Sequence, residues 1–436
     1  MWHAGPLAAG VLLLAIAVLG CGPSNVPSVA VSPNESPPPS AAASDLARPS
    51  VPASASPSTA GSTTFGWAAR PEAFAGGEGT SLAMVAAGPA GLVALSEMYQ
   101  VDGTRITRLW GSPDGVMWIP LDGPGLDEQH GISAVWGAGG SYWLVGQDAQ
   151  TGDRASLWRS ADARTWQPSL ELDPGLQAWS ISDVCEETSE PASEACPLVL
   201  TGTVGVDGAI WRSVDGGDTW AKATVEDATG WLGAQDAAPL VIRGAMAISS
   251  GLLAFGNGLP QAEDTSGVIK SRFWRSEDAG ATWFRLAHTG LFDELLVHDV
   301  ASNGDVAVAV GEDASAPGVA VALASSDGGR TWSRATTPGV DAQGKLAQVF
   351  ARGSGFVGLG FSSPADVNTF PVRESLWTSD DGASWRTGSA GALDGGIVSD
   401  AAMVDGRIVA VGRGWTTSDT GTLDAPFGPA VWTLAR

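Results

Sequence analysis

The sequence feature that most constrains the fold is a short motif that recurs along most of the chain. In the segment FWRSEDAGATWF, five residues share the spacing S-x-D-x-G-x-T-W: Ser276, Asp278, Gly280, Thr282 and Trp283. The flanks alternate apolar and polar residues, as strands do. An Asp side chain accepts hydrogen bonds from backbone N–H groups two or three residues on, and glycine adopts a positive φ at little cost. The segment therefore predicts a β-hairpin with a buried Trp at the start of its second strand.

Five more copies of this hairpin follow the same design, two of the same length and three that are one residue shorter. They are Ser213–Trp220, Ser325–Trp332, Ser112–Trp118, Ser160–Trp166 and Ser379–Trp385. Their tryptophans recur about every fifty residues. A fixed period of about 40 to 50 residues with hairpin chemistry is typical of a β-propeller.

The motif resembles the Asp-box (BNR) repeat of sialidases, sortilin-type receptors, some glycoside hydrolases and a photosystem II assembly factor. The resemblance implies that the motif aspartates have a structural role within each hairpin. These are Asp114, Asp162, Asp215, Asp278, Asp327 and Asp381. The functions found in this family are diverse, so the resemblance predicts the fold more sharply than the activity.

Two series of apolar residues count the blades. The first stands two positions before each motif Ser and continues to Trp432, after which no hairpin follows. The second is the motif tryptophans, which extend back to Trp67 with no third strand before it. Both ends are explained if Phe65–Arg70 is the outer strand of a blade whose other three strands lie between Ile397 and Leu434. The sequence thus predicts an all-β, seven-bladed propeller over residues 64–436 with a split closing blade, which leaves no exposed sheet edge.

The N-terminal region predicts export and a membrane anchor. Leu7–Leu19 is an apolar run too short to span a bilayer and typical of a signal peptide. It ends in VLGC, which resembles a bacterial lipobox and implies a lipidated Cys21 in a signal segment of residues 1–21. A plain secretory signal is the alternative, and it also exports the protein. Residues 22–63 are rich in Ser, Pro and Ala, which predicts a disordered linker.

The net charge and the cysteines agree with the predicted export and membrane anchor. A net charge of −24 disfavours nucleic acid and anionic membrane surfaces as partners, so the lipid is the expected membrane contact. Export favours a disulfide between Cys185 and Cys196, at the two ends of the first hairpin of blade three. The alternative, a redox or metal site, lacks a C-x-x-C spacing and neighbouring His or basic residues.

The two faces of the predicted propeller differ in loop length. The connection face carries the links between blades and the loops between second and third strands. Its long loops favour it as the binding face: Asn257–Arg272, Phe361–Ser375, Arg413–Pro429 and Ala223–Ile242. The hairpin face carries the motif hairpins and, apart from the cystine loop, short turns. Many acids in the long loops predict a negative connection face.

Three aspartates form the sharpest candidate site. Asp183, Asp299 and Asp400 have similar places in the innermost strands of blades three, five and seven, and His298 precedes one of them. If their carboxylates converge on the central channel, they would hold a divalent cation or a basic group of a ligand. The alternative is that each carboxylate accepts hydrogen bonds from nearby backbone or faces channel water.

Signals for catalysis are weak. The sialidase resemblance implies a Tyr nucleophile late in the chain, but Tyr99 and Tyr142 both lie in the first two blades. Arg159, Arg212 and Arg275 occupy equivalent repeat positions, which indicates surface residues. The four histidines show no metal-ligand spacing. We predict no catalytic residue, no resident metal and no cofactor.

The sequence therefore predicts a monomeric, lipid-anchored binding or assembly module in the bacterial cell envelope. Its partner is expected to be an extracytoplasmic protein, a peptide or a glycan. The alternative is a sialidase-like or other carbohydrate-active hydrolase.

Overall fold

Each predicted hairpin motif forms the outer part of a sheet in the structure, which is a computed structural model. The residues that it describes are 67–69, 80–99, 105–124, 130–148, 155–171, 176–185, 196–229, 231–232, 237–258, 270–287, 290–293, 295–316, 318–337, 345–362, 373–388, 396–415 and 427–434. The predicted signal peptide, Cys21 and the linker lie outside these residues, as do most residues of the long loops.

The first two blades are antiparallel sheets of four strands in sequence order from the inside outwards. The first described strand is β1 (Trp67–Ala69). Blade one contains β2 (Thr80–Gly88), β3 (Gly91–Tyr99), β4 (Arg105–Ser112) and β5 (Ile119–Leu121). Blade two contains β6 (His130–Ala138), β7 (Ser141–Asp148), β8 (Ala155–Ser160) and β9 (Gln167–Glu171).

Blades three and four share an irregular connection. Blade three contains β10 (Leu176–Asp183), β11 (Leu198–Val204), β12 (Asp207–Ser213) and β13 (Ala221–Lys222). The connection includes β14 (Thr224–Val225) and the small hairpin of β15 (Trp231–Leu232) and β16 (Ala237–Ala238). Blade four contains β17 (Val241–Ile248), β18 (Gly251–Gly258), β19 (Lys270–Ser276) and β20 (Thr282–Arg285). Because β14 pairs in parallel with β20, it adds a fifth strand to blade four.

The last three blades complete the ring. After the short helix α1 (Gly290–Asp293), blade five contains β21 (Leu295–Asn303), β22 (Val306–Asp313), β23 (Ala320–Ser325) and β24 (Ser333–Arg334). Blade six contains β25 (Lys345–Arg352), β26 (Gly355–Ser362), β27 (Arg373–Ser379) and β28 (Arg386–Gly388). Blade seven contains β29 (Gly396–Val404), β30 (Arg407–Trp415) and β31 (Phe427–Leu434).

The split closing blade is confirmed. Strand β1 pairs antiparallel with β31, with Trp67 opposite Leu434 and Ala69 opposite Trp432. The innermost strands of neighbouring blades contact one another all the way around, from β2 through β29 and back to β2. The seven-bladed propeller predicted from the repeat is therefore the observed fold.

The core lies between the blades, as the apolar series predicts. Six of its large residues two positions before a motif Ser, or at the matching place in blade seven, are buried: Trp110, Trp211, Trp274, Leu323, Trp377 and Trp432. Each core cluster draws residues from more than one sheet; Trp377 and Trp385 of blade six, for example, pack with Val308 of blade five. Packing of successive sheets face to face gives the ring a rigid interior.

Every innermost strand contains a β-bulge at the same place, which the sequence analysis did not predict. One residue of each strand is left out of the pairing with the second strand: Ala83, Ser133, Trp179, Arg243, His298, Ala347 and Ser399. In each blade the bulge falls in the half of the strand nearer its N-terminus, towards the connection face. The seven bulges align the blades residue by residue.

Candidate functional site in the central channel

The hydrogen bonds of the motif hairpins are internal. In blade four, Asp278 Oδ1 accepts a hydrogen bond from the Thr282 N–H at 2.8 Å, and its Oδ2 accepts one from the Thr282 hydroxyl. The Ser276 hydroxyl donates to Asp278 Oδ1 at 2.8 Å and accepts from the Gly280 N–H at 2.9 Å. The Trp283 indole N–H donates to the Gly280 carbonyl at 3.0 Å. Gly280 has φ of 88°, as the turn requires.

The other hairpins repeat parts of this pattern, and their hydrogen bonds lower the pKa of motif aspartates. In every hairpin a motif Asp oxygen accepts from the motif Ser and from backbone N–H groups of the turn. Burial alone would raise the pKa of Asp278, but the hydrogen bonds from Thr282 and Ser276 outweigh it and lower the pKa to about 2. Hydrogen bonds from Thr331 similarly lower the pKa of Asp327 to about 2. These acids stabilise turns and leave little capacity for a ligand.

The bulges separate the three candidate aspartates. Asp299 and Asp400 directly follow the bulge residues of blades five and seven, so they occupy equivalent positions. In blade three that position belongs to Ser180, because the bulge residue is Trp179. Asp183 lies three residues further along β10 and is exposed. The structure therefore places two of the three predicted acids at equivalent positions and the third elsewhere.

Asp299 and Asp400 each connect two blades. Asp299 Oδ1 accepts from the Val300 N–H at 2.8 Å, and its Oδ2 accepts from the Val349 N–H of blade six at 2.9 Å. Asp400 accepts from the Ala401 N–H and from the Val85 N–H of blade one, both at 2.9 Å.

Gln348 of blade six lies between them in the ring. Its side-chain amide donates to Asp400 Oδ1, so the equivalent positions of blades five, six and seven are Asp, Gln and Asp. For Asp299 and Asp400, backbone donors hold the carboxylates as in the alternative interpretation.

Burial raises the pKa of both the Asp299 and the Asp400 carboxyl group. The two residues keep some solvent exposure, but protein surrounds their carboxylates, and burial raises the pKa of Asp299 to about 7 and that of Asp400 to about 6. The backbone hydrogen bonds oppose this shift, and the negative charge of Asp400 adds to the shift at Asp299. Near neutral pH the pair therefore holds a proton for part of the time.

His298, the fourth candidate residue, does not contact these aspartates through any hydrogen bond found among the described residues. Its Nε2 lies 3.2 Å from Glu312 Oε1 on the second strand of the same blade. Burial lowers the pKa of His298, and the contact with Glu312 opposes that effect. Glu312 also accepts from the Gly318 N–H at 2.9 Å. Burial would raise the pKa of Glu312, but these hydrogen bonds outweigh it and lower that pKa.

The sequence analysis missed two further bulge residues, Trp179 and Arg243. Trp179 of blade three is 40% exposed, and the guanidinium carbon of Arg243 in blade four lies 5.7 Å from the centre of its ring. The Arg243 Nε is buried without a hydrogen-bond partner among the described residues. Burial lowers the pKa of this guanidinium. The positive charge of Arg243 is also felt by His298, which places the two residues near each other.

A sequence signal for the bulge does exist. The residue of the second strand paired just before the bulge is glycine in six blades: Gly146, Gly202, Gly256, Gly311, Gly360 and Gly412. In Gly311, for example, an added Cβ would lie 2.0 Å from the Leu296 carbonyl oxygen. At Gly311 no side chain fits unless the two strands move apart, whereas blade one has Ser96 at the matching position. This recurring glycine marks the bulge without showing which side chains meet.

The residues considered for catalysis have structural contacts. The Tyr142 side chain is fully buried; its hydroxyl accepts from the Ala90 N–H and donates to the Gly91 carbonyl, both at 3.0 Å. Burial raises its pKa. Arg159 contacts the Gly216 carbonyl and Asp218 of the next blade. Arg275 contacts the Ser250 carbonyl and Glu277. These contacts fix blades and turns to one another.

Three further observations bear on the predicted chemistry. Cys185 and Cys196 form a disulfide with a Cα–Cα distance of 5.0 Å. No group of three or more His, Cys, Asp or Glu suited to a metal ion occurs within the described part of the chain. Among those same residues, no helix has the length and apolar character needed to cross a bilayer.

Comparisons with known proteins add the following. No family model and no curated protein matches the chain. Solved structures similar to it include "YCF48 bound to D1 peptide" (14% identity, 85% of this chain and 97% of that chain, TM-score 0.49). A protein of unknown function from Dyadobacter fermentans has 15% identity over 82% of this chain and 95% of that chain, with a TM-score of 0.43. The β-propeller domain of the Trilobed protease from Pyrococcus furiosus has 9% identity over 81% of this chain and 95% of that chain, with a TM-score of 0.47.

These similarities are too low to carry an argument about function. The assignment of seven blades rests instead on the strand pairing of the chain itself.

Proposed function

We propose that this protein is an exported, lipid-anchored β-propeller that acts as a binding or assembly module in the bacterial cell envelope. The lipobox-like sequence at Cys21 supports the anchor, and the Cys185–Cys196 disulfide supports an oxidising compartment. The proposed partner is an extracytoplasmic protein, peptide or glycan, bound by a monomer.

One observation carries the binding role. Of the side chains considered for catalysis, Tyr142, Arg159 and Arg275 are engaged in structural hydrogen bonds, whereas no hydrogen bond holds the Trp179 or Arg243 side chain within the described residues. An exposed aromatic ring next to a buried cation on a rigid ring of strands is the kind of surface that binding sites use. A hydrolase would instead need acid and base groups held free to transfer protons.

Binding and catalysis are separated by one comparison. The purified propeller is titrated by calorimetry with a panel of envelope glycans and peptides, and is incubated in parallel with fluorogenic glycosides. We expect saturable binding of at least one panel member without release of the fluorophore. Glycoside turnover that follows the protein through purification would overturn the proposal in favour of the hydrolase.

The anchor is tested in the full-length chain. Cys21→Ser should move the protein from the membrane fraction to the soluble fraction, and its melting temperature should stay the same because only the anchor is removed. Detergent-phase partitioning measures the change. Equal partitioning of both forms would contradict lipidation.

A further inference from the structure

The seven bulge positions divide the ring into two unequal parts. Blades three, four and five carry large side chains there, and the remaining blades carry small ones. The large residues are Trp179, Arg243 and His298; the small ones are Ala83, Ser133, Ala347 and Ser399. Because the bulges align, the three large side chains come from adjacent strands of the ring at the same height. They form one cluster in the half of the channel nearer the connection face.

Arg243 is the unusual member of this cluster. Its guanidinium is largely removed from water, and within the described residues no carboxylate pairs with it. The face of Trp179 at 5.7 Å offers only a cation–π contact. A buried cation without an anionic partner is unfavourable and is usually compensated by one. The protein supplies many acids elsewhere, so the missing partner here suggests an anion that comes from outside.

The charged side chains near Arg243 do not supply this anionic partner. Glu312 is held by His298 Nε2 and the Gly318 N–H. Lys345 at the start of β25 adds a positive charge felt by both His298 and Glu312. The positive charge of Arg243 therefore stays without a carboxylate partner among the described residues, in a chain whose net charge is −24. A local positive charge of this kind attracts an anion that the rest of the negatively charged protein would repel.

We propose that Arg243 and Trp179 bind a monocarboxylate group attached to a flat or CH-rich body. A carboxylate is planar and matches the donor fork of a guanidinium. The exposed ring of Trp179 then offers a flat surface for the attached body. A single unpaired cation balances one negative charge, which favours a monoanion over a dianion. This inference rests on the proposed binding function and names the ligand chemistry of that site.

The test uses matched acids and amides. Methyl β-glucuronide and its amide represent acidic sugars; N-acetylphenylalanine and its amide represent a peptide C-terminus. Calorimetric titration should show binding of at least one acid, with affinity for its amide lower by about tenfold or more. Binding should also weaken as salt is raised. The acid that binds identifies the source of the carboxylate.

The variants assign the binding to the cluster. Arg243→Gln and Trp179→Leu should each lower the affinity for the preferred acid by about tenfold or more. The matched control is Arg212→Gln, since Arg212 lies on the third strand of blade three and its Nε also lacks a partner. That control should bind as the unmodified protein does. Arg243→Gln should also keep its melting temperature, because it removes an unpaired buried charge.

Several results would overturn the inference. These are equal affinity for acid and amide, no binding of either acid, full binding by Arg243→Gln, or a large loss of melting temperature in that variant. If neither acid binds but another panel member does, the proposed binding function stands and this site assignment fails. If no panel member binds and a glycoside is hydrolysed, the proposed function itself fails.

Discussion

At the scale of single residues, Asp299 shows how one side chain both joins two blades and responds to pH. Its folded-state pKa of about 7 lies above the ordinary value of 3.8, so the folded protein keeps a proton that the unfolded chain releases. Stability contributed by this group is therefore full below about pH 4 and is lost as pH rises through about 7. Asp400, with a pKa of about 6, acts in the same direction.

Asp299→Asn tests this role. The amide keeps one acceptor oxygen for two backbone donors, so one N–H loses its partner, and we expect the free energy of unfolding at pH 5 to fall by about 1–3 kcal/mol. The loss should shrink towards pH 8, because the variant no longer has to bury an ionised carboxylate. Urea denaturation from pH 5 to pH 8 measures both effects. The control is Asp183→Asn, at an exposed position. If the free energy of unfolding of Asp299→Asn differs from that of the unmodified protein by the same amount at every pH, the pH-dependent role of Asp299 is contradicted.

At the scale of elements, the bulge and the glycine opposite it form one unit. In Gly311→Ala, the added Cβ would lie 2.0 Å from the Leu296 carbonyl oxygen, so β21 and β22 must separate. Overpacking of this kind costs about 1–3 kcal/mol. The control is Gly131→Ala on an innermost strand, where a Cβ meets nothing within 4 Å. Chemical denaturation of both variants gives the comparison, and equal stability would show that the close approach is not required.

At the scale of the whole molecule, closure of the ring depends on three residues of β1. Deletion of residues 63–72 removes the partner of β31 and exposes its edge, so we expect aggregation or a clear fall in melting temperature. Deletion of ten residues at 43–52, within the predicted linker, is the control and should change neither. Size-exclusion chromatography and calorimetry report the two properties. A monomeric and equally stable 63–72 deletion would contradict the closing role of β1.

The sequence by itself determined the number of blades, the closing strand and the structural role of the hairpin tryptophans. These features follow from chemistry within a few residues of one another: the turn chemistry of Ser276 to Trp283 is local, and its period counts the blades. The cysteine pairing was also predictable from the sequence, because Cys185 and Cys196 flank the loop of one hairpin.

Only the tertiary structure decided the register of the innermost strands and hence the site. The segments Ala178–Ile181 and Ile181–Val184 each place two residues between apolar ones, as Val297–Val300 does around Asp299. The sequence therefore allows Asp183 to be aligned with Asp299. Strand pairing selects the first alignment and puts Trp179 at the bulge. A bulge is a property of two paired strands, and the contact of Trp179 with Arg243 joins two blades some sixty residues apart in the chain. No local pattern encodes that meeting, because it depends on how neighbouring sheets pack around the ring.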